Sequence, residues 1–335
     1  MKPATIKEIA RRLGVNPSTV SRALAGSTKV STETRERVMR LAQELNYTPN
    51  LWAQNLVGTS SNLIGCLVLE LSNPFYVPVV RAIQSVASQK DYIVFLGESQ
   101  RQLEVEKAAI ERFRRIRVAG IIATPVLVEV EHLRLLEKEG VPVVLLGRSA
   151  PGFYSVNVDN RRSGEIVGRH LIRCGHRAIG YVYSGEAHNL PELHRLEGLK
   201  RALAEADLNL EHTYIVGRND LGGGEKAARR WLAQSQRPTA VFCSNDMLAM
   251  GFISALLAEG VHVPGDVAVV GHDDVPFASL FKVELTTVAI PKEEVGRTAI
   301  NILLDRIEGG SASGKPLDIV LEPSLVVRQS CGGRS

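Results

Sequence analysis

TIKEIARRLGVNPSTVSRAL, residues 5–24, places two short helical patterns on either side of LGVN, close to the first residue of a 335-residue chain. Ile6, Ile9, Ala10 and Leu13 fall at i, i+3, i+4 and i+7, which is one face of a helix. Gly14 ends it, because glycine takes up the left-handed conformation of a C-terminal cap without a Cβ clash. Asn16 is placed to cap the next helix through its side-chain oxygen. Pro17 suits a first helical position, whose N–H has no helical partner anyway. Val20, Ala23 and Leu24 then turn inward, and Ser18, Ser21 and Arg22 turn outward. The pattern is a helix–turn–helix whose second helix shows a small polar face with one arginine, a shape that fits a DNA major groove. A helical hairpin on the surface of a larger core would share the pattern.

Charge separates these readings. Residues 1–58 hold nine Lys and Arg against four Glu and no Asp, a net +5, while the whole chain carries +4. The excess positive charge therefore sits with the helix–turn–helix, and a polyanionic partner for that segment alone accounts for it. Val38, Leu41, Ala42 and Leu45, with Ser31 as cap, predict a third helix that closes a headpiece over residues 1–48. Residues 49–61 contain about two turns of possible helix between Pro49 and the joint Gly58-Thr59-Ser60-Ser61. They are either a plain linker or a helix that forms only when bound.

Beyond Asn62 the texture changes. Strands are predicted at 63–71, 92–96, 119–124, 141–147, 178–183, 239–243 and 266–271, and helical patterns near 75–90, 101–116, 161–174, 192–206, 246–259 and 292–308. Such alternation implies parallel sheets with helices on both faces, and there are enough strands for two sheets. No apolar run reaches the length of a membrane span and the start lacks a signal-peptide core, so no membrane partner and a cytoplasmic location are expected. Cys66, Cys174, Cys243 and Cys331 form no C-x-x-C pair. They are expected as small buried side chains, with Cys331 in a loose tail.

Enzyme motifs are missing. Gly222-Gly223-Gly224-Glu225-Lys226 lacks phosphate-loop spacing and reads as a loop leading into a helix. There is no G-x-S-x-G and no G-x-G-x-x-G. His170, Cys174 and His176 read as a helix end and not a metal site, and His272-Asp273-Asp274 follows a strand without a nucleophile. No catalytic residue, metal ligand or cofactor is expected.

TIKEIARRLGVNPSTVSRAL, VSTETRERV and NYTPN, then NLVGTSSNLIG, then SNPFY, VNVDN, CGHRAIGYV, RLEGLKRAL, PTAVFCSNDMLAMG, VPGDVAVVGHDD and LTTV resemble, in order, the lactose-repressor (LacI/GalR) family of bacterial transcription regulators. The core also resembles periplasmic sugar-binding proteins of the ribose type. The resemblance implies an all-α helix-turn-helix headpiece (1–48), a hinge (49–61) and an α/β periplasmic-binding-protein-like core (62–330). That core would comprise two Rossmann-like subdomains, about 62–160 with 291–320 and about 161–290 with 321–330. A homodimer on a near-palindromic double-stranded DNA operator is implied, with a small effector in the cleft, at the carboxyl ends of the strands.

Site residues carry over by position. Pro17, Ser18 and Arg22 match base-reading positions, and Thr19, Ser21 and Asn50 match phosphate contacts. Thr5 and Lys29 complete the DNA-binding set, and Leu56 matches a leucine that wedges into the minor groove. Phe75 and Tyr76 match an aromatic pair that stacks on a sugar ring or base, and Arg148, Arg195, Asn245 and Asp273 match polar positions that bind hydroxyls. Two arginines also admit a phosphorylated or acidic sugar. The sequence departs from the sugar-binding pattern at Gly147, where an aspartate is common, at Ile290, where a glutamine is common, and at Asn219 or Asp220, where some relatives place an aromatic. The expected function is a repressor of carbohydrate-metabolism genes controlled by a sugar or sugar derivative. The alternative is a regulator responding to a partner protein or a nucleobase.

Overall fold

The computed structural model describes residues 5–24, 27–45, 47, 61–309 and 317–332, and divides the chain into one unit up to Ser61 and another from Asn62. In the first unit, α1 (Ile6–Leu13), α2 (Pro17–Leu24) and α3 (Thr32–Glu44) pack around Ile9, Ala10, Val20, Ala23, Val38 and Ala42, all buried. The caps are local. Thr5 Oγ1 accepts from Glu8 N at 3.2 Å, Asn16 Oδ1 accepts from Ser18 N at 2.9 Å, and Ser31 Oγ accepts from Thr34 N at 3.3 Å. Gly14 closes α1 at φ 67°, a conformation that costs little without a Cβ.

The second unit holds two six-stranded sheets. β1 (Leu63–Val68), β2 (Ile93–Glu98), β3 (Gly120–Ala123), β4 (Val143–Leu146), β5 (Tyr154–Val158) and, from much later in the chain, β11 (Asp318–Leu321) form the first, in the order β11-β5-β4-β3-β1-β2 with every pairing parallel. β6 (Ile179–Tyr183), β7 (His212–Ile215), β8 (Ala240–Cys243), β9 (Ala268–Asp273), β10 (Thr286–Ala289) and β12 (Ser324–Val326) form the second, in the order β12-β10-β9-β8-β6-β7, where only β12 runs antiparallel. β1, β3, β4 and β8 are buried along their whole length, which is why they read as continuous apolar runs.

The helices are α4 (Tyr76–Gln89), α5 (Leu103–Arg115), α6 (Glu131–Lys138), α7 (Asn160–Arg173), α8 (Leu190–Ala204), α9 (Leu221–Leu232), α10 (Asp246–Ala258) and α11 (Lys292–Ile307). α4 packs on α11, α7 on α8, and α9 on α10. The α7–α8 contact is unusually close. A Cβ on Gly164 would lie 2.0 Å from the Arg195 carbonyl oxygen, and one on Gly198 would lie 1.9 Å from that of Arg161. The chain crosses between the sheets after β5, after β10 and after β11, so the two halves share three strands of connection.

Four expectations are corrected. Gly222-Gly223-Gly224 is no loop but the first turn of α9, capped by Asp220 Oδ1 on Gly223 N at 2.9 Å. Glycine suits it because a Cβ on Gly224 would meet the Leu248 carbonyl of α10 at 2.2 Å. Cys331 sits in no loose tail: it is buried, its thiol 3.0 Å from Thr286 Oγ1 and 3.1 Å from His170 Nε2. Cys174, expected inside, is exposed at the end of α7. His272 and Asp273 do not follow β9 but are its last two residues. No described helix is long and apolar enough to cross a membrane.

Candidate functional site

In the headpiece, α2 turns Pro17, Ser18 and Arg22 to the exposed side, with Thr19 and Ser21 half-buried at its edges. Thr5 and Lys29 are exposed as well. The Ser18 hydroxyl donates to Asn16 Oδ1 at 2.8 Å, which leaves its lone pairs to accept. Arg22 has no ion pair among the described residues, whereas Arg11 and Arg12 both bond Glu8 and hold its carboxyl down to about 2. Arg22 and Lys29 are thus cations on this surface without a protein counter-charge among the described residues. Asn50 and Leu56 lie outside the described residues.

In the core, Phe75, Tyr76, Arg148, Arg195, Asn245 and Asp273 line a single cavity. The fold explains this. Arg148 follows β4, Asn245 follows β8, Asp273 ends β9, and Phe75 and Tyr76 open α4, so the carboxyl ends of strands in both sheets converge. Arg195 lies in the second turn of α8. The cavity holds about 130 Å³, near the ~150 Å³ that accommodates one benzene ring.

Arg195, Asn245 and Asp273 are each held by hydrogen bonds. Arg195 Nε donates to Asn160 Oδ1 at 2.8 Å and its Nη1 to the Ser244 carbonyl, so it is no free surface arginine. Asn245 caps α10, its Oδ1 accepting from Leu248 N at 2.8 Å, and its Nδ2 donates to the Asn219 carbonyl at 3.0 Å. Asp273 Oδ1 lies 2.9 Å from His272 Nδ1, and burial pushes the His272 ring down to about 4, so at neutral pH it is uncharged and donates to Asp273. Asp273 and Asp274 have φ 113° and 50°, a strained stretch for two non-glycine residues. Lys292 Nζ, on α11, donates to both their carbonyls, and Arg328 Nη2 donates to Asp274 Oδ1 at 2.8 Å. Phe75 and Tyr76 meet edge to face, ring centres 5.2 Å apart. Burial pushes the Tyr76 phenol up to about 12, so it stays a donor.

Sequence reasoning missed Arg101, Asn160, Glu192 and His272, which line the same cavity. Glu192 is buried and accepts from Ser184 Oγ at 2.6 Å and Ser244 Oγ at 2.8 Å. Asn160 stood within the quoted VNVDN without a role, and Arg101 follows the end of β2, a strand-end position that signals this site elsewhere in the fold. At the mouth, Arg101 reaches Glu186 at 3.7 Å and Arg218 reaches Glu70 at 3.9 Å, two ion pairs that join the halves.

Residues 5–50 match a family model described as bacterial regulatory proteins, lacI family, and residues 169–331 match one described as a periplasmic binding protein-like domain. Relatives include the HTH-type transcriptional repressor PurR of Proteus mirabilis, 35% identical over 332 residues, 98% of this chain and 96% of that protein. The repressor of the same name from Erwinia tasmaniensis is 34% identical over the same shares. Among solved structures, the lac repressor dimer bound to operator and the anti-inducer ONPF superposes with TM-score 0.84 at 28% identity, covering 98% of this chain and 99% of that one. A LacI family transcriptional regulator from Enterococcus faecium with bound ribose superposes with TM-score 0.73 at 28% identity, over 80% of this chain and 98% of that one.

Proposed function

The chain is a DNA-binding transcriptional repressor of the lacI family of bacterial regulatory proteins, and from that premise we propose that it reads a near-palindromic operator as a homodimer under the control of a small sugar or sugar derivative in the core cleft. The observation that carries the ligand reading is the convergence of Phe75, Tyr76 and Arg148 from one half of the core with Arg195, Asn245 and Asp273 from the other on one cavity. A ligand touching both halves favours their closed arrangement over the open one, and that difference in affinity is what a distant DNA site can sense.

The wall chemistry favours a sugar. One side is aromatic, and the facing half supplies Arg195, Asn219, Asn245 and Asp273. A pyranose or furanose presents one apolar face and a polar rim, whereas a nucleobase presents two apolar faces. The volume suits one ring. A nucleobase is the second reading, supported by the name of the PurR relatives and by the apolar edge at buried Ile290. In the headpiece, Arg22 is assigned to a guanine through O6 and N7, Pro17 and Ser18 to neighbouring base edges, and Thr5, Thr19, Ser21 and Lys29 to phosphates. Asn50 and Leu56 join them by resemblance. Dimerisation is supported by exposed apolar side chains: Ile93, Phe95 and Leu96 on edge strand β2, Val77 on α4, and Phe277 and Leu280, the last 80% exposed.

The test is an operator selected from random duplex DNA, followed by anisotropy titrations with neutral sugars, hypoxanthine and guanine. Arg195→Ala and Asp273→Ala should weaken the ligand response about tenfold to a hundredfold, since bonds to charged groups are worth roughly 1.5–3 kcal/mol. Operator binding without ligand should stay near that of the unaltered protein. An undiminished response in both variants removes the cavity from the account, and a response to the bases alone selects the second reading.

A further inference from the structure

Arg148 is 7% exposed, and its Nη1 is buried with no hydrogen-bond partner. It makes no ion pair among the described residues. The residue before it, Gly147, lies in the left-handed region at φ 70° and supplies no carboxylate. Glu106 acts on Arg148 through space, but its oxygens are already taken by Val126 N and His132 Nε2, each at 2.6 Å. Burial lowers the Arg148 pKa in spite of the Glu106 and Glu186 carboxylates, which act to raise it, and the Arg101 guanidinium adds to the lowering. The other charged groups of the cavity have partners: Arg101 bonds Glu70 at 3.2 Å, Arg195 bonds Asn160, Glu192 bonds two serines and Asp273 bonds His272.

A buried, unpaired guanidinium beside a second one is costly in the ligand-free protein. An anionic oxygen group removes both costs, because it satisfies the free N–H and screens the two like charges. The Tyr76 hydroxyl, on the same cavity wall, is a further donor there. Asp273 and Glu192 lie on the opposite half and would repel an anion there, which orients the ligand with its hydroxyls toward them. Resting on the reading of this cleft as the effector site, we propose that the effector carries a carboxylate or phosphate seated on Arg148, on the wall that Tyr76 and Arg101 also line.

The experiment uses the full chain. Melting temperature is measured in acetate, inorganic phosphate and chloride at equal ionic strength, for the unaltered protein and for Arg148→Met. Calorimetry then compares galacturonate and gluconate, and glucose 6-phosphate and ribose 5-phosphate, with galactose, glucose and ribose. Acetate or phosphate is expected to raise the melting temperature of the unaltered protein and not of the variant. Arg148→Met itself should melt no lower than the unaltered protein without ligand, because it replaces an unpaired buried charge by an apolar chain. At least one acid should bind about tenfold or more tighter than its neutral counterpart, a preference Arg148→Met abolishes. The carboxylate and phosphate arms tell the two anions apart. If neutral sugars bind in an Arg195-dependent way and the acids bind no better, the cleft reading survives and this one falls. If neither anion gives an Arg148-dependent shift, or Arg148→Met melts several degrees lower, the proposal is overturned. An Arg148-dependent anion shift with no sugar bound keeps the anionic group and removes the sugar.

Discussion

Gly164→Ala tests how helix packing sets the cleft. The new Cβ would start 2.0 Å from the Arg195 carbonyl oxygen and 2.7 Å from Leu199 N. Both atoms are backbone, so no side chain can swing aside. To reach an ordinary contact near ~3.4 Å, α8 must retreat from α7 by about 1.4 Å. Arg195 rides on α8 while Asn160 sits at the start of α7, so their 2.8 Å bond takes the strain. Transmitted in full, the shift carries it past ~3.5 Å, where it ceases to be a hydrogen bond. Overpacking of about 1–3 kcal/mol and the weakened charged bond together give a loss of about 2–4 kcal/mol. In a domain of this size that is a fall of roughly 5–10 °C in melting temperature. Gly222→Ala is the control. Its Cβ would meet only Asp220 Oδ1, at 3.5 Å, inside the first turn of α9. Alanine there should raise stability by about 0.5–1 kcal/mol. Calorimetric melting reads both signs, and selection for ligand response reads the cleft. A Gly164→Ala protein that melts within a degree of the unaltered one, with full ligand response, would show that α7 and α8 yield without moving Arg195 and would refute the reasoning.

Arg22→Ala should cost about 1–3 kcal/mol at one base position of each half-site and relax the selected consensus there, while Lys29→Ala weakens all duplexes alike and lowers the salt dependence. An unchanged consensus for Arg22→Ala would displace α2 from the groove. His272 titrates near 4 when folded against 6.5 when free, so its neutral form contributes stability that is present above about pH 6.5 and is lost as pH falls toward 4. Asp246, whose carboxyl burial pushes well up, acts in the opposite sense, so the His272 part is read as the difference between the unaltered protein and His272→Gln. That difference should be flat above pH 6.5 and sloped below it. A maleimide should modify Cys174 alone in the native protein and all four cysteines after unfolding, because Cys66, Cys243 and Cys331 are buried. Mass spectrometry of the native adduct decides it, and rapid native labelling at Cys331 would contradict its burial beside Thr286.

The headpiece was legible residue by residue because its folding is local. Its caps act over two or three positions, and its core repeats at i, i+3 and i+4. The long buried strands and amphipathic helices of the core were legible for the same reason: burial on both faces writes a continuous apolar run, and burial on one face writes a period. The short elements were not. β7 buries only Tyr214 of its four residues, β11 alternates between exposed and half-buried positions, β10 buries two threonines, and α6 spans eight residues, so none carries an apolar signal above its surroundings. Positions decided by distant chain were silent too. Gly224 is glycine because α10 arrives 24 residues later, and Cys331 is buried because the end of the chain returns beside β10, where Ser330 Oγ accepts from Thr286 N. The cleft lies between these cases. Strand ends announced Arg148 and Asn245, but the unpaired state of Arg148 is a property of everything that surrounds it, and only the assembled fold leaves a guanidinium in the interior without a carboxylate bonded to it.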